Sequence, residues 1–337
     1  MIGQTEMPRM LALIQRCAER LTLDLSDLHV VAPATTGYQA ATATLALLAG
    51  AASVTAVTRP SNRYHSAGES ADVTESLAAL AGVHNELRIC ERIDHQTCSS
   101  ANILINCDPV RPITRSLIER LPDRAVIAVA GEPWTLLAGD IDVKASREHR
   151  IPVSAVNESH PDVGGTDYHP ALCLKLFSAA RVAVRDARVA LICGNPLAGN
   201  LERGLRAAGA RIVVFPRPDM VFEHAWNAVV LAQRPTTDMQ LDIRDLGHLA
   251  KVAPDAVILQ YWGDIDRKAA RYFGLEVWPP RTPGRGRLGL PLEVLGPEPT
   301  IQLAASALKA AELVLAGKPL HPGGLAQVLN PNEWIES

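Results

Sequence analysis

The chain of 337 residues lacks long apolar runs and any strong excess of one charge. No stretch approaches the roughly 18 consecutive apolar residues that a transmembrane helix needs. The formal net charge of −3 gives no electrostatic reason to expect nucleic acid or an anionic membrane as a partner. The first ten residues are polar and include an acid, unlike a signal peptide. We therefore expect a cytoplasmic protein that binds neither nucleic acid nor a membrane.

Paired cysteines are also absent. The six cysteines form no C-x-x-C motif and show no zinc-type spacing. Most of them lie inside apolar runs, and the full set is Cys17, Cys90, Cys98, Cys107, Cys173 and Cys193. Isolated cysteines in apolar runs are typical of reduced thiols packed in a core. The sequence therefore predicts neither disulfides nor a metal site.

The chain does contain short apolar runs that alternate with helical patterns. In the first half the runs lie at 28–32, 53–58, 86–90, 103–107, 125–130 and 152–156. In the second half they lie at 188–193, 211–215, 228–232, 256–260 and 275–277. Strands separated by helices are typical of βαβ units and of mostly parallel sheets.

Long helical patterns at 167–184 and 300–316 connect the two halves. We therefore predict an α/β protein of two parallel-sheet, Rossmann-like domains joined by long helices, with a ligand cleft between them. The first domain, 1–185 plus 300–337, is predicted to be a flavodoxin-like substrate domain. The second, 186–299, is predicted to be a Rossmann domain for a nucleotide cofactor, and a small molecule is the expected substrate.

The segment 187–215 reads as a strand, a glycine turn, a helix and a second strand. Such a unit holds phosphate against backbone N–H groups at the helix N-terminus. The fingerprint departs from G-x-G-x-x-G, because proline replaces the middle glycine and has no N–H. The candidate cofactor-binding residues are Gly194, Asn195, Pro196, Leu197 and Gly199. The alternative is that the turn serves packing alone.

Arg217 stands just after the second strand of this unit. At that place an acidic side chain usually accepts hydrogen bonds from the adenosine ribose, whereas an arginine accommodates a 2′-phosphate. If a dinucleotide binds, Arg217 favours NADP over NAD. The alternative is a solvated loop residue.

The segment 157–169 carries the densest set of reactive side chains, just before the long connecting helix. Histidine and carboxylate side chains are the usual general acids and bases. The candidate catalytic residues are Glu158, His160, Asp162 and His169, together with Glu132, which follows another apolar strand. Helix capping and strand-end turns are the alternative roles. The cluster has no metal-ligand spacing.

Most of residues 28–316 resemble the superfamily of S-adenosylhomocysteine hydrolases and D-2-hydroxyacid dehydrogenases. Gln39-Ala40-Ala41-Thr42-Ala43 is similar to the hydrolases' Q-T-A helix, and 151–159 resembles their I-P-A-I-N-V-N-D-S segment. The segment 186–214 resembles their G-K-x-A-V-V-x-G unit, and 256–266 resembles the strand and turn on the nicotinamide side. The resemblance implies that Gln260 and Trp262 face the cofactor, where Trp262 either stacks on a ring or packs in the core. It also implies a homodimer.

The catalytic residues of these families are not in their expected places. Thr35 stands near the position of the hydrolases' histidine, and no lysine precedes Lys175 after the Asn157 segment. Trp262 stands where the dehydrogenases have a substrate-binding arginine. Three hypotheses follow. The first is an NADP-preferring oxidoreductase with His160 or His169 as proton donor. The second is an S-adenosylmethionine-dependent methyltransferase on the same fold, and the third is a non-catalytic ligand sensor.

Overall fold

The computed structural model describes residues 6–35, 37–59, 66–137, 139–284 and 286–329. The strands are β1 His29–Pro33, β2 Ser53–Val57, β3 Leu87–Cys90, β4 Ile103–Asn106, β5 Val126–Val129, β6 Val153–Val156, β7 Arg188–Ile192, β8 Arg211–Phe215, β9 Ala228–Ala232, β10 Val257–Trp262, β11 Val277–Trp278 and β12 Ala326–Val328. The helices are α1 Met7–Arg20, α2 Ala41–Leu48, α3 Ala67–Leu80, α4 His95–Ser100, α5 Arg115–Ile118, α6 Val143–Glu148, α7 Gly165–Ala179, α8 Leu197–Ala207, α9 Ile243–Val252, α10 Arg267–Tyr272 and α11 Pro297–Leu315.

The α/β fold class with two mostly parallel sheets is confirmed. Each strand predicted from an apolar run is present, with ends that differ by a residue or two. The elements that the sequence did not predict include the amphipathic helix α1 and the short strand β12. Within the described ranges, no helix combines the length and the apolar character needed to cross a membrane.

The chain divides into two compact units. The first contains Met1–Gly165 and Gly296–Glu336, and the second contains Thr166–Leu295. The helix α7 is therefore grouped with the second unit, whereas the sequence-based boundary at residue 185 placed it in the first domain. The chain enters the second unit once, and it returns to the first through α11.

The first unit contains a sheet in the order β12-β6-β5-β4-β1-β2-β3. The strands β1 to β6 are parallel, and read from the β3 edge they follow the 3-2-1-4-5-6 order of dinucleotide-binding folds. The remaining strand, β12, pairs antiparallel with β6. The helix α11 packs against β5, β6, α1 and α2, with Ile301, Ala305 and Leu308 fully buried. A segment late in the chain thus completes the core of the first unit.

The second unit contains a parallel sheet in the order β11-β10-β9-β7-β8. Counted from β7, this is the flavodoxin-like order 2-1-3-4-5. From the sequence we expected that character in the first domain and a Rossmann order in the second, so the strand orders found are the reverse. The pattern of apolar runs predicts strands and parallel crossovers, but it does not show on which side of the preceding strand each new strand is added.

The helices α7 and α8 contact each other closely in the second unit. A Cβ on Gly204 of α8 would lie only 2.2 Å from the Cβ of Pro170 in α7. Any side chain at position 204 would therefore push the two helices apart. The opposite face of α8 buries Leu197, Leu201 and Leu205, which recur every four residues and so form one stripe.

Candidate functional site

The turn between β7 and α8 is held closed by the side chain of Gln233. The N–H of Gly194 donates to Gln233 Oε1 at 3.2 Å, and Gln233 Nε2 donates to the carbonyl oxygen of Pro216 at 2.7 Å. A Cβ on Gly194 would lie 2.8 Å from the same carbonyl oxygen. Glycine is therefore required at position 194 by the approach of the backbone after β8. The Gln233 carboxamide accepts the N–H that a ligand phosphate would use.

The side chain of Asn195 fixes the backbone at the N-terminus of α8. Its Oδ1 accepts the N–H of Leu197 at 3.0 Å, and its Nδ2 donates to the carbonyl oxygen of Ala232 at 2.7 Å. Pro196 occupies the N-cap position and brings no N–H. Asn195 thus ties the start of α8 to the carboxyl end of β9, which flanks β7 at the point where the strand order reverses.

Gly199 differs from Gly194 in its surroundings. It is exposed in the first turn of α8, and the nearest atom to a Cβ placed there is Arg203 Nη1 at 3.7 Å. That separation is an ordinary van der Waals contact, so packing within the protein does not require glycine at position 199. The first turn of α8 therefore presents a face that a ligand can approach closely.

Arg217 follows β8 and pairs with Asp219 at 3.1 Å. Both side chains are largely exposed, at 68% and 62%. An exposed ion pair of this kind stabilises a fold very little, so its partners can exchange with a charged ligand at small cost. Because Gly194 contacts the backbone of Pro216, this pair stands next to the turn at the start of α8.

Gln260 and Trp262 lie at the carboxyl end of β10. Gln260 is fully buried, donates to the carbonyl oxygen of Gly263 at 2.7 Å and accepts a hydrogen bond from Arg267. Trp262 is 5% exposed and donates from Nε1 to the carbonyl oxygen of Gly286 at 3.1 Å. Both side chains therefore bind the loops that follow β10, and Trp262 packs in the core.

In the first unit the structure brings Glu132 and Glu158 together. Glu132 Oε1 accepts the backbone N–H of Glu158 at 2.7 Å, and Glu132 Oε2 accepts a hydrogen bond from Gln327 Nε2 at 3.1 Å. The Glu158 side chain passes beside two glycines. A Cβ would lie 2.7 Å from Glu158 Cβ if placed on Gly165, and 3.3 Å from Glu158 Oε1 if placed on Gly131. Glu132 thus links the loops after β5 and β6 to β12.

His160 and Asp162 share the turn after β6. His160 Nδ1 accepts the backbone N–H of Asp162 at 3.2 Å. The carbonyl oxygen of Asp162 accepts hydrogen bonds from Arg20 at 2.9 Å and from Gln302 at 3.0 Å. The turn is therefore anchored to α1 and α11 through its backbone, while the Asp162 side chain stays half exposed.

His169 belongs to the second unit, unlike the other four candidate acid–base residues. Its Nδ1 lies 2.7 Å from the hydroxyl of Tyr261, which is 1% exposed in β10. Tyr261 was not singled out from the sequence, where its one signal was a polar group within a buried strand. Gln233 was also missed, although it directly follows β9, where ligand-facing groups are common in α/β proteins.

Across the described ranges, no three His, Cys, Asp or Glu side chains come together in a group that could hold a metal ion.

Comparison with known proteins shows a likeness of fold. No protein-family model and no curated protein matches the sequence. A dipicolinate synthase chain from Bacillus subtilis is 14% identical, with 88% of this chain and 99% of that chain covered and a TM-score of 0.57. Its counterpart from Bacillus halodurans, also a dipicolinate synthase chain, is 12% identical over 87% and 99%, with a TM-score of 0.52. The TT0316 protein from Thermus thermophilus is 16% identical over 86% and 98%, with a TM-score of 0.51.

These similarities support the two-sheet Rossmann architecture that the sequence resemblance implied. The part of that resemblance that concerns S-adenosylhomocysteine hydrolases stays a prediction.

Proposed function

We propose that the chain is an oxidoreductase of small-molecule metabolism that binds a nicotinamide dinucleotide on its second unit and prefers NADP. The likeness in fold to dipicolinate synthase supports an enzyme. The observation that carries the choice of cofactor is the arrangement after β7 and β8. There the exposed Gly199 opens the first turn of α8, and the Arg217–Asp219 pair stands beside the Gly194 turn.

The adenosine half of the cofactor uses this arrangement as follows. Backbone N–H groups near a helix N-terminus attract phosphate, and Gly199 lets the phosphate come close. Arg217 leaves Asp219 and binds the 2′-phosphate, because a guanidinium binds phosphate oxygens bidentately. NAD has no 2′-phosphate, so it loses this contact.

The proton in the reaction is assigned to His169, whose Nδ1 is held by the Tyr261 hydroxyl. An imidazole that is hydrogen-bonded at one nitrogen has a fixed ring orientation, which a general acid needs. The dinucleotide supplies the hydride when it is bound.

One observation favours the S-adenosylmethionine alternative. The Gly194 N–H is already bonded to Gln233, and the Pro216 carbonyl oxygen lies close to the same turn. Both features disfavour a pyrophosphate at Gly194, and S-adenosylmethionine has no phosphate. If this second candidate is right, the ligand that stabilises the protein carries no phosphate.

Thermal unfolding in the presence of NADP, NAD, S-adenosylmethionine and S-adenosylhomocysteine tests the proposal. At a hundredfold excess over its dissociation constant, the true cofactor stabilises the fold by about 2.7 kcal/mol. We expect NADP to stabilise more than NAD. Stabilisation by S-adenosylmethionine alone would establish the second candidate, and no response to either dinucleotide at millimolar concentration would rule out the oxidoreductase.

A further inference from the structure

Arg267, the first residue of α10, lies beside the carboxyl ends of β10 and β11. Its Nη1 donates to the carbonyl oxygen of Pro279 at 2.7 Å, and its other terminal nitrogen donates to the side-chain oxygen of Gln260. Both acceptors are neutral. The guanidinium Nε is buried and has no hydrogen-bond partner. A positive charge is therefore held at the sheet edge by groups that carry no negative charge.

Arg111 of the first unit is a partly buried arginine that is paired with carboxylates. Arg111 is 27% exposed and binds Asp108 at 3.1 Å and Asp140 at 3.2 Å. No carboxylate pairs with Arg267 among the described residues, although that side chain is also partly buried. Partly buried arginines are normally paired, because removal of a charge from water is costly.

A second positive charge, that of Arg271, lies near Arg267. Burial lowers the pKa of the Arg267 guanidinium, and the nearby Arg271 lowers it further. A guanidinium nevertheless stays protonated in proteins. Among the described residues, therefore, no carboxylate pairs with the positive charge of Arg267.

We infer that Arg267 is the anchor of an oxyanion site that takes a carboxylate or phosphate group of a small ligand. Two hydrogen bonds to neutral oxygens hold the guanidinium plane, and its remaining N–H groups are of the kind that binds planar oxyanions bidentately. Ligands of parallel α/β sheets bind outside the carboxyl ends of the strands, which is where Arg267 stands. This site goes beyond the proposed dinucleotide site, because it depends on Arg267 and uses neither Gly199 nor Arg217.

Thermal unfolding and isothermal titration with two probes test the site. Malonate represents a carboxylate ligand and inorganic phosphate represents a phosphate ligand, each compared with chloride at the same ionic strength. The Arg267→Gln variant removes the charge. The matched control is Arg271→Gln, which removes an exposed arginine one turn later on the same helix.

We expect at least one probe to bind the native protein, and Arg267→Gln to weaken it about ten- to a hundredfold. The Arg271→Gln variant should weaken it about fivefold at most, as an exposed charge does. A stronger response to malonate assigns the site to a carboxylate, and a stronger response to phosphate assigns it to a phosphate group.

The inference is overturned if neither probe binds better than chloride, or if Arg267→Gln binds both probes like the native protein. Should Arg267→Gln fail to fold, Arg267→Lys keeps the charge but loses the planar fork. It should then still fold and bind more weakly, whereas native affinity in that variant would also contradict the inference. NADP binding is measured in parallel, so failure of this site and failure of the proposed cofactor are seen separately.

Discussion

The imidazole of His169 and the phenol of Tyr261 form a hydrogen bond of 2.7 Å between Nδ1 and Oη within the second unit. Their rings also meet edge to face, with centroids 6.3 Å apart. Tyr261 is fixed in a buried strand, so it orients a histidine that lies on the partly exposed helix α7. The pair therefore joins a buried phenol in a strand to a partly exposed imidazole on a helix.

The bond predicts the tautomer of His169. A phenol is the better donor of the two groups, so it should donate to Nδ1 and leave the proton of neutral His169 on Nε2. Nitrogen-15 NMR of the imidazole measures this directly. In Tyr261→Phe the preference should weaken while the fold loses only about 1 kcal/mol. A predominant Nδ1–H form in the native protein would contradict the prediction.

Gln233→Ala should strengthen the binding of NADP about three- to tenfold. The substitution releases the Gly194 N–H and removes the carboxamide that now accepts it, so a phosphate no longer competes with a hydrogen bond of the protein. Titration calorimetry gives the affinity. The control is Gln240→Ala, which removes a glutamine bonded to the backbone N–H of Asp264 elsewhere in the same unit. Weaker binding in Gln233→Ala would instead make Gln233 a ligand of the cofactor.

The two glycines of the turn should respond in opposite ways to alanine. Gly194→Ala places a methyl group 2.8 Å from the Pro216 carbonyl oxygen and should destabilise the second unit. Gly199→Ala meets no close contact and should stabilise the helix by about 0.5–1 kcal/mol, because alanine is the better helix former. NADP affinity should nevertheless fall in Gly199→Ala. A gain in stability with unchanged affinity would show that the cofactor does not approach this turn.

Arg217→Ala should lower affinity for NADP and leave NAD nearly unchanged. The loss of a charge-assisted contact with the 2′-phosphate costs about 1.5–3 kcal/mol, or ten- to a hundredfold in affinity. The fold should not change, since the ion pair with Asp219 is largely exposed. Equal losses for both dinucleotides would mean that Arg217 does not read the 2′-phosphate.

Asp242 should make the stability of α9 depend on pH. Its carboxylate caps the helix by accepting the N–H groups of Arg244 and Asp245, and the bond to Asp245 holds the pKa of Asp242 below its usual value. The stabilisation is therefore present above the ordinary pKa of about 3.9 and disappears as the pH falls through the lower folded value. Asp242→Ala should cost about 1 kcal/mol at neutral pH. Amide exchange at Leu246 and Leu249 follows the local effect, and Asp242→Asn should keep most of the cap at acidic pH.

Most of the fold could be predicted from the sequence because parallel strands buried on both faces appear as continuous apolar runs. The run at 228–232 matches β9 residue for residue. The strand orders were not accessible in this way, because each depends on contacts between distant segments. The strand β12 was missed for a related reason, since a three-residue edge strand has no periodicity of its own.

The candidate site was less accessible than the fold. Residue type and position relative to a strand were enough to single out Arg217 and His169. The bond from Gln233 to Gly194 joins residues 39 positions apart, and the partner of His169 lies 92 positions away. Arg267 was missed because the absence of a carboxylate beside it, among the described residues, is a property of the folded chain and not of its neighbours in sequence.

The place of α11 in the first unit also affects how the protein is made. Because α11 packs on β5 and β6 but follows the whole second unit in the chain, the ribosome releases 166–295 before the first unit can close. During synthesis the second unit can fold as soon as it emerges from the ribosome. Until α11 has been made, the apolar face of β5 and β6 that it covers stays exposed. A pause or truncation near residue 296 would thus leave a finished second unit attached to an unfinished first one, which is the species that a chaperone would bind.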